Sequence, residues 1–275
     1  MVVRSALLEE VYRFLSSAFI VAGDRIRPSY RYNVRMASTC VALVTGAAKR
    51  VGRCVALRLA EEGFDLAFTY LSSGDDAKEL CEQIRAMGRK CVMIRADLTK
   101  PDPAIKYIRK QFQANFSRLD LLMNNASLYA PDDGTSAQAA RFWAIHVLSP
   151  MLLARAMGDL LRKSRGHVVN MVDGQTDRPM ASYSAYSASK AGLLNLTLSL
   201  AKQLAPQVTV NGIAPGVVEW PPGMPAREKR KYLRNVPLKR AGTPSDVAEA
   251  VIFFSRSESY VTGQILRLDG GRSLI

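Results

Sequence analysis

Short apolar runs alternate with amphipathic segments from residue 40 to the end of the chain, and this alternation constrains the fold most. The predicted strands are Cys40–Thr45, Asp65–Tyr70, Lys90–Arg95, Leu119–Asn124, His167–Val172, Val208–Ile213 and Gln264–Leu268. Helical spacing of apolar residues predicts helices over Arg50–Glu62, Asp75–Met87, Pro101–Asn115, Ala137–Lys163, Ser184–Leu204, Ala226–Asn235 and Ser245–Ser255. Strands joined by helical crossovers form a parallel sheet with helices on both faces. We therefore predict a single doubly wound α/β domain over residues 36–275.

Composition fits one globular domain and excludes several other classes of protein. The 275 residues are 48% hydrophobic and 23% charged, unlike a disordered or collagen-like chain. No long uncharged apolar run is present, so we expect no membrane span. The four cysteines and two histidines show no metal-ligand spacing, so we expect neither a metal site nor a disulfide framework. We expect a cytoplasmic protein.

The chain is strongly basic, with 38 Lys and Arg against 24 Asp and Glu and a formal net charge of +14. Such a balance attracts anions, including nucleic acids and phosphorylated cofactors. The basic residues are scattered and do not form one block with interleaved aromatic residues. We therefore favour a basic surface over a nucleic-acid partner.

Residues 1–35 differ from the rest of the chain because they contain six arginines and three acidic residues. An Arg-rich amphipathic presequence is an alternative, but Glu9 and Glu10 in its helical stretch argue against one. A plainer interpretation is that Met36 is the true start, since a strand follows it almost at once. We expect this segment to be dispensable for the chemistry.

The first predicted strand runs into a turn of small residues, TGAAKRVG at positions 45–52, and then into a helix. Gly46 and Gly52 allow the backbone to approach a pyrophosphate, whose charge the helix N-terminus stabilises. A glycine pair placed between the first strand and helix of a βαβ unit is much more specific than an isolated pair. The turn predicts a dinucleotide site in a Rossmann-type fold.

The residues around this turn also predict which dinucleotide binds. Lys49 and Arg50 are adjacent cations at a helix start, where they oppose the helix dipole unless an anion is present. The second strand ends at Tyr70 and is followed by Ser72 and Ser73, with no carboxylate to bind a ribose 2′-hydroxyl. Both features favour NADPH over NADH.

Tyr186 and Lys190 are four residues apart at the start of a predicted helix, so their side chains share one face. A nearby ammonium lowers the pKa of a phenol towards the working range of a proton donor. Asp173, Asn124 and Asn125 follow strand ends at the same rim of the sheet, where this fold binds its ligands. Hydride addition to C=O or C=N needs such an acid, so we predict a reductase.

These features together resemble the short-chain dehydrogenase/reductase family over residues 40–275. The matching motifs are TGAAKRVG at 45–52, Asp97-Leu98, NNAS at 124–127, YSASK at 186–190, Pro215-Gly216 and Asp269-Gly270-Gly271. Within the family, the chain most resembles pteridine reductases. Most members carry serine at the position of Asp173 and glycine at that of Arg50, and the stretch 170–190 also reads like the pteridine group.

The resemblance implies NADPH-dependent reduction of a dihydropterin, with oxidised pterin or dihydrofolate as further substrates. It implies that Tyr186 and Asp173 form a proton-donating pair and that Lys190 holds the nicotinamide ribose. The implied substrate contacts are Arg50, Ser127, Tyr129, Asp173 and Tyr186, with Tyr183 lining the same cleft. The predicted cofactor contacts are Gly46, Lys49, Arg50, Val51, Gly52, Tyr70, Ser72, Ser73, Asp97, Leu98, Asn125, Ala126, Ser127, Lys190, Pro215 and Gly216. The resemblance also implies a homotetramer built on the two long helices.

Two features leave alternatives open. His146 stands where family members usually carry asparagine, and is either a water-holding, pH-sensitive group or a packed histidine. The segment 217–235, which covers the cleft in related proteins, contains a run of cations that is either solvated or meets an anionic substrate tail. Those cations are Arg227, Lys229, Arg230, Lys231 and Arg234.

Two rival functions each agree with part of the sequence. A 3-ketoacyl thioester reductase of the same family suits the basic surface, but Asp173 and Arg50 argue against it. A non-catalytic NADP-sensing or nucleic-acid-binding protein suits the net charge. The Tyr186–Lys190 pair argues against that second rival, because a sensor has no need of a tuned phenol.

Overall fold

A parallel sheet of seven strands runs through the described part of the chain, in the order β3-β2-β1-β4-β5-β6-β7. The computed structural model describes residues 39–221, 223–256 and 260–275, so the segment 1–35 lies outside the described residues. The strands are β1 (Val41–Val44), β2 (Asp65–Tyr70), β3 (Cys91–Arg95), β4 (Leu121–Asn124), β5 (His167–Met171), β6 (Thr209–Pro215) and β7 (Ile265–Leu268).

Helices cover both faces of this sheet. They are α1 (Arg50–Glu61), α2 (Gly74–Ala86), α3 (Pro101–Gln113), α4 (Ser136–Trp143), α5 (Ser149–Ala156), α6 (Gly158–Ser164), α7 (Ser184–Leu204), α8 (Ala226–Arg234) and α9 (Pro244–Phe254). One core cluster packs α1, α2 and α9 on one face, and a second packs α3, α5 and α7 on the other. Burial on both faces explains the near-continuous apolar strands. The predicted doubly wound fold is confirmed.

The order of the strands reverses between β1 and β4, which are direct neighbours in the sheet. In open α/β sheets, ligands bind in the crevice that this reversal leaves at the carboxyl ends of the strands. The loops after β1, β4, β5 and β6 all emerge at this end. The predicted functional motifs at residues 45–52, 124–129 and 173–190 follow β1, β4 and β5, respectively.

The prediction of one long helix over Ala137–Lys163 was wrong. A π turn, Ala144–Leu148, separates α4 from α5, and the N–H of Ser149 bonds to the carbonyl of Ala144. Pro150 has no N–H to offer the preceding turn, so the helix widens just before it. A second break at Met157 bends the chain by 59°. No single described helix is long and apolar enough to cross a bilayer, although the two arms of this bent pair reach that length and composition together.

Candidate active site

The turn after β1 has a backbone that needs glycine at two positions. Gly46 has a φ of +66°, and a Cβ added there would lie 2.9 Å from the Cα of Ala126. A Cβ added at Gly52 would lie 2.5 Å from the carbonyl oxygen of Gly46. Because side chains are excluded here, the backbone at the start of α1 remains open to a ligand, as a dinucleotide pyrophosphate requires.

The loop after β4 holds this turn in place. The Thr45 hydroxyl oxygen accepts hydrogen bonds from the backbone N–H of Asn125 at 2.9 Å and of Ala126 at 3.0 Å. The amide nitrogen of Asn125 donates to the carbonyls of Thr45 at 2.9 Å and Gly46 at 3.0 Å. The side chain of Asn125, a predicted cofactor contact, therefore uses both of its N–H groups to fix the turn.

Both cations of the turn are paired with carboxylates, which the sequence reasoning did not anticipate. Arg50 has a φ of +55°, in the left-handed region where glycine is favoured, and its Nε donates to Glu219 at 2.8 Å. Lys49 lies 3.0 Å from a carboxylate oxygen of Asp76 in α2. These pairs are exposed, so they contribute little to stability and are readily exchanged for another anion.

The remaining predicted cofactor contacts lie at or just after the carboxyl ends of strands or, for Val51, in the first turn of α1. Tyr70 ends β2 and packs against the first core cluster, while Ser72 and Ser73 lead into α2. Asp97 accepts hydrogen bonds from the backbone and hydroxyl of Thr99, and the hydroxyl bond in particular lowers the pKa of this carboxyl.

The side chains of Val51 and Leu98 belong to the core clusters, and Ser127 is exposed after β4. Pro215 ends β6, with its carbonyl accepting from Gly174, and Gly216 follows it.

Tyr186, Asp173 and Lys190 come together at the carboxyl end of β5. The hydroxyl of Tyr186 donates to Oδ2 of Asp173 at 2.6 Å. Lys190 Nζ donates to the carbonyl of Met171 at 2.8 Å and lies 5.9 Å from the centre of the Tyr186 ring. The structure therefore confirms that these three residues are neighbours. Both side chains from α7 are buried.

The expectation that Lys190 lowers the pKa of the phenol was wrong for this structure. Burial raises the pKa of Tyr186, and the charge and hydrogen bond of Asp173 raise it further. Burial lowers the pKa of Lys190 to about 8. The ammonium is directed at a main-chain carbonyl of β5, which sequence spacing does not show. Tyr186 is consequently held protonated, the form that a proton donor requires.

Aromatic rings form one wall beside this trio. Tyr129 and Tyr183 are stacked with their ring centres 4.8 Å apart, and the edge of Tyr186 meets Tyr129 at 5.0 Å. Tyr129 is 55% exposed, so part of its ring remains open to the crevice. Stacked rings of this kind present a flat apolar surface to a planar ligand.

His146 is a buried link between two loops of the site. Its Nδ1 donates to the hydroxyl oxygen of Ser189 at 2.8 Å, because that hydroxyl itself donates to the carbonyl of Tyr186. Its Nε2 accepts from the N–H of Leu128 at 3.3 Å and lies 2.8 Å from the Ser127 hydroxyl. Burial, followed by the charge of Lys190, lowers the pKa of His146 to about 2. The geometry is that of a packed, neutral histidine.

Replacing His146 with Asn is expected to flatten the acid side of the stability profile. The unfolded chain protonates this residue below its ordinary pKa of 6.5, whereas the folded chain does not, so folding is disfavoured as pH falls. The wild-type free energy of unfolding should fall by up to about 1.4 kcal/mol more per pH unit than that of H146N. Urea unfolding of both proteins at about pH 7 and pH 5 measures the difference; parallel profiles would show that the imidazole is protonated in the fold.

Asp132 is a residue that the sequence reasoning missed. Its carboxylate accepts from the backbone N–H of Ser184 at 2.6 Å and of Ala185 at 3.2 Å, so it caps α7 from outside the helix. The residue before the helix, Tyr183, makes no side-chain cap. The cap lies 52 positions earlier in the chain, so no local signal predicts it. It fixes the first turn of the helix that carries Tyr186.

Comparison with known proteins agrees with this geometry. A family model described as Enoyl-(Acyl carrier protein) reductase matches residues 46–273. The 3-oxoacyl-[acyl-carrier-protein] reductase FabG of Staphylococcus epidermidis is 33% identical, over 84% of this chain and 97% of that protein. Pteridine reductase 1 of Leishmania tarentolae is 31% identical, over 85% of this chain and 96% of that protein.

Among solved structures, the acetoin dehydrogenase YohF of Salmonella typhimurium superposes with a TM-score of 0.78. It is 29% identical, and the match covers 86% of this chain and 97% of that one. The family model spans strands β2 to β7 and the helix that carries Tyr186 and Lys190. The chain belongs to the short-chain dehydrogenase/reductase family.

Proposed function

We propose that the protein is an NADPH-dependent pteridine reductase. The hydrogen bond of 2.6 Å between Tyr186 and Asp173 is the observation that carries this proposal. A ketone needs only a hydroxyl donor, whereas a pterin also presents ring nitrogens and an amidine-like edge. A carboxylate beside the phenol accepts hydrogen bonds from such an edge, while the phenol supplies the proton. The flat wall of Tyr129 and Tyr183 suits the same planar ring.

The chain's own groups suit a nicotinamide dinucleotide. The cradle that a Cβ at Gly46 or Gly52 would fill accommodates a pyrophosphate at the start of α1. When bound, the nicotinamide supplies a hydride. Tyr186 and Asp173 supply the proton to the ring nitrogen that gains the electron pair, while Lys190 holds the ribose of the cofactor. The buried ammonium also stabilises the negative charge left on the pair.

Charge around the adenosine end supports NADPH over NADH. Ser72 and Ser73 follow β2 at a position where NAD-binding folds place a carboxylate. Lys49 lies at the adjacent helix start, paired to Asp76 through an exposed contact. An incoming 2′-phosphate carries more charge than this carboxylate and competes for the same ammonium.

Replacing Gly52 with Ala is expected to weaken NADPH binding at least tenfold. The new Cβ would lie 2.5 Å from the Gly46 carbonyl and 2.6 Å from the amide nitrogen of Asn125, so the turn must shift. Gly74→Ala is the matched control, because a Cβ there meets nothing closer than 3.9 Å. Titration of NADPH fluorescence measures both variants. An affinity of G52A within twofold of G74A would contradict this role for the turn.

A second candidate is reduction of a 3-ketoacyl thioester. It is favoured by the identity of 33% to the FabG protein and by the net charge of +14, which suits an acidic carrier. Asp173 and Arg50 argue against it, because most members of the family carry serine and glycine at these two positions.

NADPH oxidation by the purified protein separates the two candidates. Dihydrobiopterin and an acetoacetyl thioester are assayed in parallel, with NADH in place of NADPH as a third arm. Turnover of the pterin with NADPH supports the proposal. Turnover of the thioester alone would replace it with the second candidate, and faster turnover with NADH would overturn the cofactor assignment.

A further inference from the structure

One ion pair joins two segments that are far apart in the chain and meet beside the glycine turn. Nε of Arg50 donates to Oε2 of Glu219 at 2.8 Å. Arg50 begins α1 directly after the turn, whereas Glu219 lies shortly after the end of β6. The pair therefore connects the turn that we assign to the cofactor with a segment outside the nucleotide-binding motif.

The backbone on both sides of Glu219 is fixed by contacts of its own. The N–H of Val217 donates to the hydroxyl oxygen of Tyr232 at 2.9 Å, and the carbonyl of Val217 accepts from the N–H of Gly242 at 3.0 Å. On the other side, the ring of Trp220 meets the ring of Tyr232 edge-on, with centres 5.4 Å apart. The carboxylate is consequently presented from a supported position, as a group that orients another side chain must be.

Glu219 uses only one edge of the guanidinium. The group has five N–H donors, and a bond to Nε leaves the four on the two terminal nitrogens. Within the described part of the chain, the guanidinium of Arg50 forms no other hydrogen bond or ion pair. The side chain of Arg50 is 59% exposed, so its terminal donors remain accessible to a phosphate, which a guanidinium fork binds through two parallel hydrogen bonds.

An arginine at this position needs such a support. Arg50 has a φ of +55°, in the left-handed region that side chains rarely adopt. An exposed arginine samples many rotamers, and ordering it on binding costs side-chain entropy. A carboxylate that already holds the Nε edge removes part of this cost before a ligand arrives.

We infer that Glu219 is a positioning residue, which orients Arg50 so that the terminal N–H groups of its guanidinium meet the pyrophosphate of the cofactor. The inference rests on the proposed function, because it takes NADPH as the ligand of the turn. An exposed pair also allows the opposite role, in which Glu219 competes with the phosphate and must leave first. The geometry favours orientation, since a phosphate reaches the terminal nitrogens without displacing a carboxylate from Nε.

Two substitutions of Glu219 distinguish these roles when NADPH fluorescence is titrated. Glu219→Ala removes the acceptor and is expected to raise the Kd for NADPH about fivefold, the effect of leaving one long side chain to be ordered on binding. Glu219→Gln keeps an oxygen acceptor for Nε and should stay within twofold of wild type. Tighter binding by both variants would identify Glu219 as a competitor and overturn the inference.

Combination with Arg50→Ala tests whether Glu219 acts through Arg50. R50A keeps a Cβ on the same backbone and is expected to weaken NADPH binding at least as much as E219A does. Adding E219A to R50A should cause no further loss, because no guanidinium is left to orient. Independent, additive losses would show that Glu219 acts on another group, against the inference.

Glu228→Ala is the matched control, because Glu228 is an exposed glutamate of α8 that forms no ion pair among the described residues. Its Kd for NADPH should stay within twofold of wild type, and an increase equal to that of E219A would contradict a specific role for Glu219. Thermal unfolding of each variant separates these results from loss of the fold.

The titration needs no turnover, so it separates this inference from the proposed function. A Kd for NADPH that depends on Glu219, in a protein that reduces no pterin, would overturn the pteridine assignment and leave the role of Glu219 standing. Equal Kd values for wild type and E219A, with pterin turnover intact, would overturn the role of Glu219 alone. A wild-type protein that binds no NADPH would overturn both.

Discussion

Tyr186→Phe is expected to lower kcat for dihydropterin reduction by about 10³-fold, within the range of general acid catalysis. The variant loses one oxygen atom from a buried ring whose hydroxyl donates to Asp173 at 2.6 Å. No other described hydroxyl is bonded to that carboxylate, so the ring nitrogen loses its proton source. NADPH affinity should remain within threefold, because the ring keeps its packing against Tyr129 and Phe142.

Stopped-flow measurement of NADPH oxidation gives the rate of the chemical step. A separate measurement of NADPH affinity shows whether cofactor binding has changed. Tyr107→Phe is the matched control, since this ring is 47% exposed on α3, far from the crevice. It should retain wild-type turnover. If Y186F retained more than about a tenth of kcat, a water or another group would be the donor, and the role of Tyr186 would be positional.

Asp173→Ser is expected to reduce kcat/KM for dihydrobiopterin by about 100-fold while the Kd for NADPH changes less than threefold. A serine at this position loses the ionisable oxygen pair that faces both Tyr186 and the ring edge of a pterin, and a charge-assisted contact of this kind is worth about 10- to 100-fold. A carbonyl substrate needs only the phenol. Any slow reduction of an activated ketone should therefore persist in D173S.

The neighbouring carboxylate provides the control for this experiment. Asp177 is exposed on the same loop and pairs with Arg267 at 2.9 Å, outside the groove. Asp177→Ser should leave both substrates within twofold of wild type. Retention by D173S of more than a tenth of wild-type pterin turnover would remove the main support for a pteridine substrate and favour the thioester candidate.

The fold could be predicted well from sequence, because hydrophobic periodicity and turn-forming residues depend on near neighbours in the chain. The strand and helix pattern, the glycine turn and the Tyr186–Lys190 spacing all depend on residues within a few positions of one another. Of the two errors, one has a local cause and the other a distant partner. Pro150 divides a helix that apolar spacing alone made continuous, and Lys190 is drawn to the Met171 carbonyl on a neighbouring strand.

The same limit applies to the candidate site. Sequence patterns predicted which residues meet at the rim of the sheet but not which of their atoms are already bonded. Asn125 uses its amide on the turn, and Arg50 pairs with Glu219, 169 positions later in the chain. For His146, sequence left two interpretations open, and only the contacts with Ser189 and Leu128 distinguish them.

The cap that Asp132 places on α7 has a consequence for how the protein is made. Since translation runs from the N-terminus, Asp132 is synthesised 52 residues before Ser184. The first turn of the catalytic helix thus meets a partner that is already present. Splitting the polypeptide between these two positions, as in a two-fragment reporter, would make that cap depend on fragment association. Activity of the split protein would then vary with fragment concentration.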